Sequence, residues 1–375
     1  MNRFFSISHR CIDTNARAGV LRTAHGEVPT PVFMPVGTRA TVKAVTPEQL
    51  RSAGARIILA NTYHLALRPG SALIRGAGGL HRFSVWDGPI LTDSGGYQIF
   101  SLAELRKISN EGVRFQSHID GSYHLFTPES VIDLQRDLGP DIMMVLDECA
   151  PYPCTRESAV EANVRTLHWA GRSMERFRNT SSLHGYAQFP FAIVQGSTYE
   201  DIRAESCKQL IDMEFPGYAI GGLAVGEPRE KMLSTAAFTA GLLPDEKPRY
   251  LMGVGKPEDI IEAISMGIDM FDCVIPTRNG RNGTFYSETG KIVIKNQQYR
   301  DDMRPISDQC SCYACRNFSR AYLRHLFQSS EILGLTLASI HNIHFYMDLV
   351  TSIRSAILED DFSAWKKQFF RTYTP

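Results

Sequence analysis

The chain has no excess of charge of either sign: 40 Lys and Arg balance 40 Asp and Glu over 375 residues. A neutral molecule lacks the global electrostatic footprint of a nucleic-acid binder, so any contact with a phosphate backbone must be local. Long apolar runs are missing too. Nothing approaches the roughly 18 consecutive apolar residues of a membrane-spanning helix, and no membrane partner is expected. The opening residues, Met1-Asn-Arg-Phe-Phe-Ser-Ile-Ser-His-Arg, hold no apolar stretch long enough for a signal peptide, so a cytoplasmic location is expected. Neither a P-loop nor a dinucleotide fingerprint occurs, and no nucleotide cofactor is expected. Low-complexity tracts are absent. With 43% hydrophobic and 21% charged residues, this is an ordinary globular composition in a chain long enough to bury a large core.

What the chain does have is an unusual arrangement of its eight cysteines. Without an export signal they point to a reducing compartment, where clustered thiols serve metals or catalysis more often than disulfides. Three fall within six residues, Cys310-Ser-Cys312-Tyr-Ala-Cys315, and His341 follows 26 positions after the last. Close neighbours on a chain rarely point into one core pocket, so packing explains this poorly. Three thiolates and an imidazole make the four-coordinate Cys₃His shell that Zn²⁺ prefers. Buried free thiols or a disulfide are the plainer readings, and neither accounts for the spacing. A zinc hydrolase centred here would need an open coordination position, and four protein ligands leave none.

Elsewhere one motif repeats: a short β-rich apolar run, a Gly-rich or polar turn, then a helical pattern. The runs fall at 31–36, 56–60, 89–91, 141–146, 191–194, 217–220, 249–252 and 270–274. Helix starts such as Thr46-Pro-Glu-Gln, Thr127-Pro-Glu-Ser, Glu200-Asp-Ile-Arg and Lys256-Pro-Glu-Asp lie between them, with a proline or acid in the first turn. Eight alternations predict an α/β fold, a (β/α)₈ TIM barrel, with a doubly wound open sheet as the alternative. The segment to about Thr30 reads as hairpin strands turning at Ala24-His-Gly-Glu, an N-terminal antiparallel β cap on the barrel bottom. A single domain over 1–375 is expected. It carries an inserted zinc-binding subdomain at about 287–345 and C-terminal helices at 346–375.

Polar residues recur where the runs end: Asn61-Thr62, Asp93-Ser-Gly-Gly, Asp147-Glu148, Gln195-Gly196, Gly221-Gly222, Gly253-Val-Gly255 and Asp272. In a barrel these ends share one rim, where active sites form. Asp272 interrupts an apolar strand, and burying a carboxylate there is costly unless it is paired or used. It is either the partner of Arg278 or Arg281, or a nucleophile able to attack an anomeric carbon. Asp93 precedes glycines that let a ligand approach the backbone. It is either the N-cap of the following helix or a general acid/base partner for Asp272. Asp147, Gln195 and the Gly221-Gly222-Leu223 backbone offer acceptors and donors complementary to a guanine-like edge, and Tyr97 and Met252 can sandwich a flat ring. Residues 275–330 hold nine Lys/Arg against four acids, which is either a solvated face or a local phosphate-binding surface.

Taken together these segments closely resemble the bacterial-type tRNA-guanine transglycosylases. The resemblance rests on Phe33-Met-Pro-Val-Gly-Thr, Asn61-Thr-Tyr-His-Leu, Leu91-Thr-Asp-Ser-Gly-Gly-Tyr-Gln, Asp147-Glu-Cys-Ala-Pro-Tyr-Pro and Val194-Gln-Gly-Ser. It continues through Gly221-Gly-Leu-Ala-Val-Gly-Glu, Tyr250-Leu-Met-Gly-Val-Gly-Lys-Pro-Glu-Asp, Phe271-Asp-Cys-Val-Ile-Pro-Thr-Arg-Asn-Gly-Arg-Asn-Gly, the cysteine cluster and His341-Asn-Ile. It covers nearly the whole chain. The resemblance implies a pentosyltransferase that replaces guanine at the wobble position (34) of tRNAs with GUN anticodons by the 7-deazaguanine preQ1, in queuosine biosynthesis. Direct salvage of queuine is the alternative; a non-catalytic RNA-binding subunit is disfavoured because both Asp93 and Asp272 are present.

The same resemblance implies Asp272 as nucleophile and Asp93 as proton acceptor. It assigns the base to Asp93, Ser94, Gly95, Gly96, Tyr97, Asp147, Gln195, Gly222, Leu223 and Met252. The anticodon loop falls to Gly253, Val254, Gly255, Lys256, Pro257, Glu258 and Asp259, with Thr277, Arg278, Asn279, Gly280 and Arg281. One structural Zn²⁺ per subunit is implied on Cys310, Cys312, Cys315 and His341, the pattern His-Asn-x-x-x-Tyr selecting His341 over His344. Phe318, Tyr322 and His325 lie at i, i+4, i+7, a spacing that by itself reads as core. In the family the matching stripe lies at a homodimer interface, so a homodimer is expected.

Overall fold

A computed structural model describes residues 4–102 and 106–374; Met1–Arg3 of the expected cap and Pro375 at the end of the expected C-terminal helices lie outside them. Three antiparallel strands come first, β1 (Phe5–Arg10), β2 (Arg17–Thr23) and β3 (Gly26–Thr30), with Ala24-His25 at the turn between the last two. Parallel strands β4 (Val32–Pro35), β5 (Ile58–Ala60) and β6 (Ile90–Thr92) follow. A second antiparallel sheet then intervenes, β7 (Arg106–Ser109), β8 (Gly112–Gln116) and β9 (Tyr123–Phe126). The parallel series resumes with β10 (Ile142–Met144), β11 (Phe189–Val194), β12 (Gly217–Ile220), β13 (Arg249–Leu251) and β14 (Met270–Cys273).

The eight parallel strands pair in the order β4-β14-β13-β12-β11-β10-β6-β5, and a parallel bridge between Val36 and Leu59 brings the two ends together. This is the expected (β/α)₈ barrel, with all eight strands where the periodicity put them. Strand alternation divides each one into an axial and an outer set. Met34, Leu91, Ile193, Tyr250 and Met270 pack along the axis with Phe5, Leu21 and Val28 of the cap. Phe33, Ile90, Val194, Leu251 and Phe271 face the surrounding helices. The period of two carries the axial set on to Asp93, Gln195, Met252 and Asp272, aiming all four at the barrel mouth.

After β14 the chain forms the helix Ile275–Arg281 and a hairpin, β15 (Thr284–Ser287) with β16 (Gly290–Val293). The short helix Tyr313–Asn317 carries Cys315, and Arg320–Gln328 precedes the long helix Ile332–Leu358, which runs unbroken past residue 345. One face of Arg320–Gln328 buries Leu323, Leu326 and Phe327. Tyr322 and His325 lie on its exposed face, and Phe318, half-buried, stacks on Tyr322 at 5.4 Å. The core reading of that stripe holds only for Phe318, which packs against the neighbouring core, and fails for Tyr322 and His325: hydrophobic spacing identifies a face but not which of two faces is covered. Among the described residues no helix is long and apolar enough to cross a membrane.

Candidate active site

The barrel mouth opens into a cavity of about 670 Å³ lined by Asp93, Ser94, Gly95, Tyr97, Asp147, Gln195, Gly222, Leu223, Met252 and Asp272. Residues separated by up to 179 positions in the chain thus share one space. Gly96 sits just behind it: its N–H donates to Ser94 Oγ, and a Cβ there would come within 2.7 Å of the Asp147 carbonyl. Tyr97 stands half exposed on the rim.

Asp272 carries the least encumbered carboxylate. Tyr250 OH donates to its Oδ1 at 2.5 Å and the Gly253 N–H to the same oxygen at 2.8 Å. Oδ2 has no hydrogen-bond partner among the described residues, and no arginine pairs with the group, so the structural ion-pair reading falls away. Burial pushes the Asp272 pKa above the usual carboxylate range, against the pull of those two donors.

Asp93 is held differently. Its Oδ2 accepts from Asn61 Nδ2 and its Oδ1 from the Thr62 N–H at 2.8 Å. It thus caps the start of the helix Thr62–Leu67, which follows the neighbouring strand β5, and not the helix after its own strand. Burial raises its pKa to about 6, and the nearby Asp272 charge adds to the effect while Asn61 and Thr62 oppose it.

Asp147 accepts from Ser94 Oγ at 3.1 Å and from Gln195 Nε2 at 2.7 Å. Burial pushes it, too, up to about 6. Gln195 Oε1 is buried without a partner among the described residues. A carboxylate and an amide bonded mainly to each other are poised to exchange that bond for a ligand with donors on one side and a carbonyl on the other.

Of the segments expected to touch RNA, Gly253, Val254, Gly255, Lys256, Asp259 and Arg278 line the same cavity. Lys256 and Arg278 are exposed cations beside it. The others are turned inward. Pro257 and Glu258 are buried in the helix Pro257–Ser265, while the cavity-lining Asp259 is already paired with Arg229 at 2.5 Å. Thr277 is buried, Asn279 donates to Tyr286 OH at 2.7 Å, and Gly280 presses on the Ala338 backbone, where a Cβ would come within 3.1 Å. Arg281 is partly buried, with Nη1 unpartnered among the described residues. Part of the basic excess is also neutralised, since Asp302 binds both Arg304 and Arg320. Asn61, Tyr250 and the Gly253 N–H were not expected to orient the aspartates. Their signal was positional: Asn61 ends a strand, and Tyr250 falls in the axial set.

Away from the cavity, the ligand atoms of Cys310, Cys312, Cys315 and His341 all lie within 4.8 Å of one another, an arrangement that can hold a metal ion. The three sulfurs stand 3.7, 3.4 and 3.3 Å from His341 Nδ1. His341 Nε2 lies 2.6 Å from the Tyr286 carbonyl, which fixes the proton on that nitrogen and leaves Nδ1 to a cation. His344 is not part of the cluster: its ring lies 3.0 Å from Asp348 and 3.3 Å from Ser311 Oγ.

The family model described as queuine tRNA-ribosyltransferase matches residues 11–375. The chain is 55% identical over 360 residues to the queuine tRNA-ribosyltransferase of Thermoanaerobacter pseudethanolicus, covering 96% of this chain and 95% of that one. It is 54% identical over 369 residues to the protein of that name from Pelotomaculum thermopropionicum, covering 98% of each. To its namesake in Halothermothrix orenii it is 50% identical over 373 residues, 100% of this chain and 98% of the other.

Proposed function

The chain belongs to the queuine tRNA-ribosyltransferase family, and from that premise we propose that it exchanges guanine at wobble position 34 of GUN-anticodon tRNAs for the 7-deazaguanine preQ1, through a covalent ribose–Asp272 intermediate. The observation that carries this is the pair Asp93 and Asp272 on one cavity, with Asp272 Oδ2 unengaged. Oδ2 attacks C1′ of the nucleoside, the glycosidic bond breaks, and guanine leaves with its electron pair. Asp93 then takes the N9 proton of the incoming base, whose nitrogen attacks C1′ and releases Asp272. That proton replaces the one the departing guanine anion takes up, so the exchange is proton-neutral and Asp93 is restored. A carboxyl poised near pH 6 suits a group that must accept a proton near neutrality. The ester conserves the free energy of the broken bond, so no nucleotide co-substrate is required.

Asp147 accepts the N–H donors of the base, while Gln195 and the Gly222 and Leu223 amides meet its carbonyl. Tyr97 and Met252 flank the ring, and Lys256 and Arg278 hold the anticodon-loop phosphates. A single-stranded loop gives up a base cheaply, which suits a pocket this deep. We assign preQ1 as the incoming base from the Asp147-Glu148-Cys149 pattern. Because the relatives carry queuine in their name, the decisive assay is exchange of labelled guanine in a GUN-anticodon tRNA, competed by preQ1 and by queuine. Asp272→Ala is expected to give no tRNA adduct on a denaturing gel; a persisting adduct sinks the nucleophile assignment.

Zinc fits the cysteine cluster. A tetrahedral ion with Zn–S of about 2.3 Å and Zn–N of about 2.0–2.1 Å separates sulfur from nitrogen by about 3.6 Å, close to the observed spacings. It would lock the segment after β16 to the long helix and take no part in the exchange. Chelation is expected to lower the thermal stability of the C-terminal region, read by hydrogen exchange, since such a site contributes on the order of 10 kcal/mol locally. The exposed Tyr322 and His325, with Phe318, form the face on which we expect a second copy to pack, testable by light scattering at micromolar concentration.

A further inference from the structure

The helix Glu200–Asp212, which follows β11, buries a guanidinium beside the cavity. Arg203 is fully buried, and among the described residues its hydrogen bonds go to main-chain carbonyls and no carboxylate pairs with it. Its Nε donates to the Ser197 carbonyl at 2.6 Å and its Nη2 to the Gly221 carbonyl at 2.8 Å, while Nη1 has no partner. Burial lowers its pKa to about 10, so the group stays charged at neutral pH. A buried cation bonded only to two main-chain carbonyls is an expensive way to fasten a loop, and fastening alone does not need a charge.

The two carbonyls explain the choice. Ser197 follows the β11 end that leads to Gln195, and Gly221 directly follows β12, so Arg203 ties together the two strand ends beside Asp147. The peptide joining Gly221 to Gly222 is planar and trans, so its C=O and N–H point in opposite directions. With the carbonyl drawn back into the protein by Arg203, the Gly222 N–H is turned the other way, toward the cavity that Gly222 lines. Neither the Gly222 nor the Leu223 N–H has an acceptor among the described residues, whereas the next two amides, of Ala224 and Val225, are both taken by Glu227. Gly222 has φ +67°, and a Cβ there would come within 2.4 Å of Gln195 Oε1, so the position suits glycine and leaves its amide uncovered.

We infer that Arg203 is a positioning residue for base specificity: it fixes the Gly221–Gly222 peptide so that the Gly222 N–H reads the 6-oxo group of the purine. The inference rests on the function proposed above and goes one step behind the residues that meet the base.

The test is inhibition of labelled-guanine exchange at saturating tRNA by guanine and by 6-thioguanine, which keeps N1–H and the 2-amino group but offers a weakly accepting sulfur. Arg203→Met preserves length and apolar contact without a donor; Arg203→Lys keeps the charge and one donor. Wild type is expected to prefer guanine. Arg203→Met should raise the constant for guanine on the order of tenfold, as for loss of one charge-oriented hydrogen bond, and leave that for 6-thioguanine nearly unchanged. Arg203→Lys should recover part of the preference. Equal weakening for both bases, or an unchanged preference in either folded variant, overturns the positioning role. If Arg203→Met does not fold, the Lys variant alone decides by the same ratio. A wild-type protein that exchanges no guanine instead overturns the function on which the inference stands.

Discussion

Asp141 and Asp147 stand at opposite ends of one strand, β10, both buried, and their environments are contrary. At the bottom, Asp141 accepts from His25 at 2.8 Å, from His81 at 3.1 Å and from the Ile90 N–H at 2.9 Å. Those donors overcome the burial that would raise it and hold it down at about 2. The rings of His25 and His81 stack at 3.5 Å, so the carboxylate clasps the tip of the cap hairpin to the barrel floor. At the top, Asp147 has one hydroxyl and one amide, burial wins, and its pKa rises to about 6. Six residues apart, one acid is satisfied for stability and the other is left wanting a ligand. The same division between ends is general to barrels, the strand C-termini serving function and the N-termini the fold.

Replacing each acid by its amide should separate the two roles. Asp141→Asn leaves two histidines and an amide without their shared anion, and breaking such a buried cluster costs about 3–5 kcal/mol. Denaturant titration should record that loss, while exchange per folded molecule stays near wild type. Asp147→Asn should do the reverse. Removing one charge-assisted contact to the base costs about 1–3 kcal/mol, roughly a ten- to hundredfold rise in KM for the free base. The folded state should be no less stable, because the ionised form is the one that burial penalises. If Asp147→Asn unfolds the protein while keeping exchange, the contrast collapses.

The smallest effect is in acid, and its sign differs at the two ends. The folded state binds the Asp147 proton more tightly than the unfolded chain, so stability relative to Asp147→Asn should grow as pH falls through about 6. Asp141 binds its proton less tightly when folded. Its contribution, about 2 kcal/mol for a depression from 3.8 to about 2, is present above pH 4 and lost as pH falls through 2. Exchange should meanwhile decline below about pH 6, where protonation of Asp93 removes the proton acceptor. A pH series of melts and initial rates on wild type and both amides resolves all three.

The top of the barrel was far more legible in the sequence than the bottom. A strand announces itself by a β-rich run, and its C-terminal end by the polar residue that breaks the run, so Asp93, Asp147, Gln195 and Asp272 could be read one at a time. The cysteine cluster was local enough to read whole. The floor clasp was not, because His25 and His81 lie 116 and 60 residues from Asp141 and no spacing rule joins them. The sheet β7–β9 was missed for a related reason. Arg106–Ser109 and Tyr123–Phe126 are short and largely exposed, without the continuous apolar character that marks a buried strand. The Phe318, Tyr322, His325 stripe had the periodicity of core and lies mostly on the surface, since periodicity is silent about what covers a face.

The long helix Ile332–Leu358 sets a timetable for making the enzyme. Tyr346 donates to the Gly255 carbonyl, 91 residues earlier, and Asn342 donates to the carbonyls of Pro276 and Thr284 and accepts from the Tyr286 N–H. The loops after the last two barrel strands are therefore braced by side chains that a ribosome adding about 5–20 residues per second supplies roughly 3–18 s later. Asp93 and Asp147 are synthesised early, but the side chains that brace those two loops come near the end of the chain. The strands of the barrel can thus all be made before the helix that braces the loops after the last two of them.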